Sequence, residues 1–218
     1  MDEIYINKLT EKYKDNMQVH HDLCVTMQHL LIYLLENNNY KYQISHRIKS
    51  IESLRNKIIR KANKGIIYND LSDISDLAGI RIIFYLESDK KQFIRSLFKE
   101  LTPQNLKLVE RNKDKGYRAT HIVAEFGEKR LILAEYIRYA GLKCEIQLTS
   151  ALYHAWSEIE HDIFYKPDKS AKQLNQDITM TLKKELEETL TNYIEKASDT
   201  FEHVATCVRN IRNQRHKQ

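Results

Sequence analysis

Residues 143–148 alternate polar and apolar side chains and pass directly into a helical segment, and this arrangement strongly constrains the fold. Successive residues of a strand point to opposite faces of a sheet, so Glu145 and Gln147 share one face while their apolar neighbours point into the core. The helix expected over residues 150–164 carries more polar groups than a purely structural helix needs. The pattern therefore indicates a functional site that is built on a β-sheet.

The rest of the chain predicts helices around further strands. Apolar residues recur every three or four positions near the N-terminus, which predicts one amphipathic helix from Glu3 to about Glu36. The expected strands are 42–49, 80–85, 106–111, 117–126 and 143–149. The other expected helices are 50–63 and 150–164, with Ser50 and Ser150 as N-caps, then 88–101 and 173–213, and residues 69–76 predict a capped helical turn. These elements predict an α+β fold, with a mixed sheet of four to five strands flanked by helices and with long N- and C-terminal helices.

Composition sets only broad limits on function. The 218-residue chain has a formal net charge of +5, which suits a polyanionic partner without requiring one. Cys24, Cys144 and Cys207 lie far apart without metal-ligand spacing, and we expect reduced thiols of a cytoplasmic protein. No apolar run approaches the length of a membrane span and the first residues lack the layout of a secretion signal, so no membrane association is expected.

Two carboxylates stand out because each lies at the end of a predicted strand. Asp76 closes a polar turn directly before a buried strand, and Glu145 begins another strand. Mg²⁺ takes one or two protein carboxylates and completes its shell with water and phosphate oxygens. The pair therefore predicts a magnesium–phosphate site. For either residue alone, a surface cap or ion pair is the commoner explanation.

Basic side chains cluster in the same part of the sequence. Arg47 and Lys49 share one face of a predicted strand, and Arg81 lies inside an apolar strand, where its charge must be paired or leave the core. The second predicted helix carries Arg55, Lys57, Arg60 and Lys61. Guanidinium groups bind phosphates in a bidentate manner and stack on bases, although a charged helix face is usually just solvated.

The segment 115–121 places a glycine before a strand that carries Tyr117 and His121. A tyrosine there can stack on a nucleobase, and the histidine can contact a phosphate or a sugar. A core tyrosine whose hydroxyl is satisfied at the sheet edge is the structural alternative.

Four segments, taken in order, resemble the synthetase domain of RelA/SpoT-type alarmone synthetases. They are 72–81, 116–121, 145–147 and 155–161 with Tyr165-Lys166, and the resemblance spans roughly Arg47 to Lys166. It implies a nucleotidyltransferase-like domain that moves the β,γ-pyrophosphate of ATP onto a ribose 3′-hydroxyl. The expected organisation is an N-terminal helical region at 1–40, the pyrophosphokinase domain at 41–168 and a C-terminal helix with a basic tail at 169–218. The chain resembles the small members that carry only the synthetase.

The resemblance also implies a role for each matched side chain. Asp76 and Glu145 would hold Mg²⁺, and Glu145 would also take the proton of the attacking hydroxyl. Arg47 and Arg81 would sandwich the adenine of ATP. The implied triphosphate ligands are Lys49, Lys57, Arg60 and Lys61. The implied acceptor ligands are Tyr117, which would stack on the base, and Arg118, His121 and Gln147.

The acceptor is predicted from departures from the family pattern. The usual Ile-Arg-Thr after Glu-Ile-Gln is replaced by Leu148-Thr149-Ser150, and Ala119 replaces a serine. Both departures lie near the acceptor side. Together with the run 155–162, which resembles the toxin-like branches of the family, and the basic tail, the missing arginine at Thr149 favours the 3′ CCA end of tRNA as acceptor, in a toxin that inhibits translation and pairs with an antitoxin protein. The alternative acceptors are GDP and GTP, which would give (p)ppGpp. The predicted tRNA contacts are Arg209, Arg212, Arg215 and Lys217.

Other functions fit the sequence less well. A non-catalytic nucleotide- or RNA-binding module would not need Asp76, Glu145 and Tyr117 together. The pairs His21-Asp22 and His161-Asp162 are isolated and predict no metal-dependent hydrolase. The amphipathic first and last helices could also pack against a second copy of the chain or against an antitoxin.

Overall fold

The computed structural model of the chain describes residues 3–38, 40–101, 104–112, 119–164 and 176–215. The strands are β1 (Tyr42–Ile48), β2 (Ala78–Phe84), β3 (Leu106–Asn112), β4 (Thr120–Phe126) and β5 (Cys144–Ser150). The helices are α1 (Glu3–Asp15), α2 (Met17–Glu36), α3 (Ile51–Ala62), α4 (Glu87–Glu100), α5 (Glu128–Leu131), α6 (Ala151–Phe164), α7 (Gln176–Thr189) and α8 (Glu195–Arg215). The predicted α+β fold with long terminal helices is confirmed.

The five strands form one mixed sheet in the order β1-β2-β5-β4-β3. The central strands β2 and β5 are parallel, and every other neighbouring pair is antiparallel. One face of β2 and β5 is fully buried, and its apolar side chains join those of α2 and α4 in the main core. The alternate positions on the other face are only partly buried over most of both strands, so this face is available for a site.

A second, smaller core lies under α1 and α3. Its buried side chains are Ile6, Leu9, Tyr13, Leu54, Ile58, Tyr68, Leu71, Ile74 and Leu77. It therefore joins α1 and α3 to residues 68–77, the segment that leads into β2. Within that segment, Asp70 and Asp73 form the predicted capped turn around Leu71–Asp73, each side chain accepting backbone N–H bonds.

Both long terminal helices are interrupted, which the sequence did not predict. The expected helix 3–36 is two helices, because the chain departs from helical geometry at Asn16 (φ −106°, ψ 6°). The Asn16 side-chain amide donates to the Lys12 carbonyl at 2.8 Å, which stabilises the end of α1. The C-terminal helix, described from Gln176, contains a π-helical turn at Leu190–Ile194 between α7 and α8.

The predicted N-caps have opposite outcomes. The Ser50 side chain accepts a bond from the Ser53 backbone N–H at 3.2 Å and caps α3, as expected. The prediction for Ser150 is wrong, because this residue is the last of β5 and its buried hydroxyl has no hydrogen-bond partner in the described part of the chain. The expected strand 117–126 is described only from Thr120, since residues 113–118 lie outside the described ranges.

Gly127 is needed where the chain leaves β4. A Cβ atom added there would lie 2.2 Å from the backbone oxygen of Gln104, at the start of the β3–β4 hairpin. This distance is too short for any side chain, so the close approach of the chain after β4 to the residues before β3 requires glycine.

Candidate active site

The strand register brings the predicted site residues onto neighbouring positions of one sheet face. Arg81 pairs with Gln147 between β2 and β5, and Gln147 pairs with His121 between β5 and β4. In the adjacent row, Arg47 of β1 lies beside Gly79 of β2, which lies beside Glu145 of β5. These residues line one cleft of about 1120 Å³ between the sheet, α3 and α6.

Asp76 lies at the edge of this cleft, two residues before the start of β2. Because Ala78 pairs with Cys144, Asp76 and Glu145 lie at the same end of two adjacent parallel strands. The Asp76 carboxylate contacts the Lys57 ammonium at 2.6 Å and the Lys49 ammonium at 3.2 Å. One carboxylate beside two ammonium groups leaves an excess of positive charge, which suits a polyphosphate.

Glu145 is held by two neighbours on the same sheet face. His121 Nδ1 lies 3.1 Å from one carboxylate oxygen, and the Gln147 side-chain amide donates to the other at 2.8 Å. The three side chains come from the middle of the sheet, where the backbone is fixed by strand pairing on both sides. The Glu145 carboxylate is therefore oriented by two neighbouring side chains and lines the cleft.

Arg81 reaches across the cleft to α6. Its guanidinium group contacts the Glu158 carboxylate at 2.6 Å, and His154 Nδ1 lies 3.8 Å from the same oxygen. Burial lowers the pKa of His154, and the positive charge of Arg81 lowers it further, while Glu158 opposes both effects. This cluster fixes α6, one side of the cleft, relative to the sheet. It also gives Arg81, which lies in an apolar strand, an oppositely charged partner.

The basic residues predicted for ATP binding are only partly brought together. Arg47, Lys49, Arg60 and Arg81 line the cleft. Lys57 is not among the described lining residues, but its ammonium group contacts Asp76, which is one of them. Lys61 lies on the same helix but is not among the described residues that line the cleft, and its role stays a prediction.

The predicted acceptor ligands are divided between described and undescribed residues. His121 and Gln147 line the cleft, whereas Tyr117 and Arg118 lie outside the described ranges. In the predicted tRNA-contacting tail, Arg209 is bound to Asp89 of α4 at 2.8 Å. Arg212 is exposed on α8, and Lys217 and the Arg215 side chain are outside the described part.

Helix α6 contributes lining residues to which the sequence assigned no role. They are Ser157, Glu158, Glu160 and His161. Ser157, Glu158 and His161 recur at helical spacing, so their shared face was a usable signal. His161 lines the cleft, although the sequence predicts no catalytic role for the His161-Asp162 pair.

Thr149 takes the position at which the family pattern has an arginine. Its residue surface is only 4% exposed, and it is not among the described residues that line the cleft. The threonine at this position therefore contributes no surface to the described cleft.

The donor chemistry of the cleft fits a hydrated divalent cation. In the described ranges, no three His, Cys, Asp or Glu side chains converge on a complete metal centre. Asp76 and Glu145 could instead supply two carboxylates, with the remaining ligands coming from phosphate and water, as Mg²⁺ prefers. Two carboxylates beside several Lys and Arg side chains in one cleft are typical of the class of proteins that bind polyphosphates.

Comparison with known proteins identifies the family. Residues 46–170 match the model of the region found in RelA / SpoT proteins. The chain is 30% identical over 158 residues to the GTP pyrophosphokinase YwaC of Bacillus subtilis, covering 71% of this chain and 70% of that protein. The chain belongs to the RelA/SpoT family. It is accordingly an enzyme of the pyrophosphokinase class.

Solved structures share the fold. Small alarmone synthetase 1 from Bacillus subtilis bound to its product pppGpp superposes with a TM-score of 0.61 at 21% identity, covering 91% of this chain and 99% of that one. The same protein bound to AMPCPP gives a TM-score of 0.57 at 18% identity, covering 88% and 92%. Along the part of the chain that is described, no helix is both long and apolar enough to cross a membrane.

Proposed function

We propose that this enzyme transfers the β,γ-pyrophosphate of ATP to the 3′-hydroxyl of GDP or GTP and so makes (p)ppGpp. The observation that carries the proposal is the single cleft that holds both Asp76 and Glu145 beside Lys49, Arg47 and Arg81. The named relatives support the nucleotides, since one is a GTP pyrophosphokinase and the other binds pppGpp and AMPCPP. We take the predicted region 41–168 as the catalytic domain.

Positioning and charge neutralisation supply most of the catalysis in this proposal. Arg47 and Arg81 hold the adenine, and Lys49, Lys57 and Arg60 bind the phosphates. Mg²⁺, held by Asp76 and Glu145, would neutralise charge on the transferred group.

The bond changes follow from this arrangement. The acceptor 3′-oxygen attacks the β-phosphorus of ATP, the bond from that phosphorus to the α–β bridging oxygen breaks, and AMP leaves. The hydroxyl proton passes to Glu145, whose carboxylate is oriented by His121 and Gln147.

The positions of the described residues weaken two of the features that favour tRNA as the acceptor. Thr149 is covered and is not among the described residues that line the cleft, so it offers no open surface that would select tRNA. Arg209 is engaged with Asp89 within the molecule. The guanine-nucleotide acceptor is therefore the better proposal, and transfer to tRNA is the competing outcome of the same test.

The acceptor is tested by supplying ATP labelled at the γ-phosphate with GDP, GTP or bulk tRNA in the presence of Mg²⁺. We expect the label to appear in a new, more phosphorylated guanine nucleotide, with AMP formed in equal amount. The Asp76→Asn variant serves as the control for contaminating kinases. Label in tRNA and none in the guanine nucleotides would overturn the proposed acceptor, and label in neither would overturn the proposed reaction.

A further inference from the structure

Tyr13 of α1 is fully buried and hydrogen-bonds to the backbone beside the proposed ATP site. Its hydroxyl donates to the Lys49 carbonyl oxygen at 2.7 Å and lies 3.3 Å from the Leu77 carbonyl oxygen. Lys49 follows β1 directly, and Leu77 follows Asp76 directly. The hydroxyl therefore lies where the two segments that carry the Lys49–Asp76 ion pair meet.

The same two segments are also joined by one backbone bond. The Lys49 N–H donates to the Leu77 oxygen at 2.9 Å. The Lys49 side chain then reaches the Asp76 carboxylate at 3.2 Å. The Tyr13 hydroxyl adds a side-chain hydrogen bond beside this backbone bond. The geometry of this short contact sets the distance between the Lys49 ammonium and the Asp76 carboxylate.

Burial keeps the Tyr13 hydroxyl a permanent donor. Loss of hydration raises the pKa of Tyr13 to about 12, and the nearby Cys24 and Asp76 raise it as well, against the bond to Lys49. The phenol therefore stays protonated at any physiological pH, and its single proton is always available to the Lys49 carbonyl.

Helix α1 is itself fixed to the site from two sides. Lys12 contacts Asp70 at 2.6 Å in the turn that precedes Asp76. Arg55 of α3 donates to Asn7 at 2.7 Å and to Glu3 at 2.8 Å, both on α1. Because α3 also carries Lys57, the helix that holds Tyr13 is anchored to both elements that supply the Asp76–Lys57 pair.

We propose that Tyr13 is a positioning residue, whose hydroxyl holds Lys49 and Asp76 in the geometry that binds ATP with Mg²⁺. This inference rests on the proposed function. It assigns a role in the donor half of the site to a residue of α1, which lies before the region matched by the family model at 46–170.

The test compares Tyr13→Phe with two matched controls. Tyr139→Phe removes a buried hydroxyl that binds Thr26 and Arg138 in the main core, away from Asp76. Leu9→Ala removes apolar contacts from the second core without touching any hydroxyl. The readouts are the Mg²⁺ concentration that gives half-maximal activity, the KM for ATP, the KM for the acceptor, and ATP–Mg²⁺ binding by calorimetry.

For Tyr13→Phe we expect the KM for ATP and the half-maximal Mg²⁺ concentration to rise about tenfold while the acceptor KM stays within twofold. Tyr139→Phe and Leu9→Ala should lower the melting temperature without that selective shift. Wild-type ATP and Mg²⁺ dependence in Tyr13→Phe would overturn the inference, as would an equal shift in Leu9→Ala or a Tyr13→Phe chain that does not fold. Calorimetry separates the two proposals, because a wild-type chain that binds no ATP contradicts the proposed function itself.

Discussion

Single carboxylates decide whether this cleft is catalytic. Asp76→Asn and Glu145→Gln each remove one negative charge at nearly constant volume, so the side-chain packing is kept while the oxygen donor set is weakened. We expect each variant to lose activity by roughly 100-fold or more, because the lost group stabilises charge in the transition state. Turnover is measured as AMP release from ATP, with circular dichroism to show that the fold is retained.

The matched control for this prediction is Asp199→Asn, the same change at an exposed position of α8. Its activity should equal that of the wild type. If either cleft variant also kept full turnover, the assignment of Asp76 and Glu145 would be contradicted, and the cleft would be a binding site only.

Individual strands and helices were largely predictable, because hydrophobic periodicity and caps are local signals. The alternation over 143–148 correctly separated the cleft face of β5 from its core face. The break at Asn16 is not predictable from periodicity because apolar residues recur through it, and the helix is divided by local backbone geometry and by the bond to Lys12. Ser150 has the residue type of a cap, yet strand pairing holds it in β5.

The assembly of the site could not be read from local patterns. The register that places Arg47, Gly79 and Glu145 side by side depends on sheet order, which periodicity does not determine. The positions of the two carboxylates at strand ends predict them as a magnesium–phosphate pair, and the resemblance to a family adds the nucleotide-binding roles of the other side chains. It gave no role to Glu158, which binds Arg81 through a contact between α6 and β2.

The docking of α8 onto α4 gives a prediction at the scale of elements. Arg209 of α8 is half-exposed and binds Asp89 of α4, whose side chain is only 7% exposed. Glu202 of α8 also accepts a bond from the Ser88 backbone N–H at 2.8 Å. Arg209→Ala should lower the free energy of unfolding by about 1–2 kcal/mol, because a buried carboxylate loses its partner.

Urea denaturation measures this change, and Arg212→Ala is the matched control on the same helix. Since Arg212 is exposed, its loss should change the free energy of unfolding by less than about 0.5 kcal/mol. Equal stabilities for the two variants would mean that the Arg209–Asp89 contact does not hold α8 on α4.

On the scale of the whole molecule, the cleft lies between parts supported by separate cores, and α6 is packed through Tyr153 and Trp156 against Leu190. The main core fixes the sheet and therefore Glu145, while the second core fixes α3 and the segment before Asp76. Helix α1 packs in the second core, and α2, which follows it directly in the chain, packs in the main core. His20 lies at this junction, 2% exposed, with its ring centroid 5.4 Å from that of Tyr13.

His20 makes the stability of the whole fold depend on pH. Burial lowers the pKa of His20 to about 4 from 6.5, and neither ring nitrogen has a hydrogen-bond partner among the described residues. The folded chain therefore keeps this histidine neutral over a range in which the unfolded chain takes up a proton. The free energy of unfolding is not reduced by His20 above pH 6.5. It decreases as the pH falls from 6.5 toward 4, by at most about 3 kcal/mol.

His20→Phe keeps an aromatic ring against Tyr13 and removes the titration. We therefore expect the difference in free energy of unfolding between pH 7 and pH 4.5, measured by urea denaturation, to be about 2 kcal/mol smaller in His20→Phe than in the wild type. His29→Gln, at an exposed position of the same helix, should keep the wild-type dependence. A parallel pH profile for His20→Phe and the wild type would show that the junction between the two cores admits a charged imidazolium. Acid sensitivity would then have to arise from groups that titrate elsewhere in the fold.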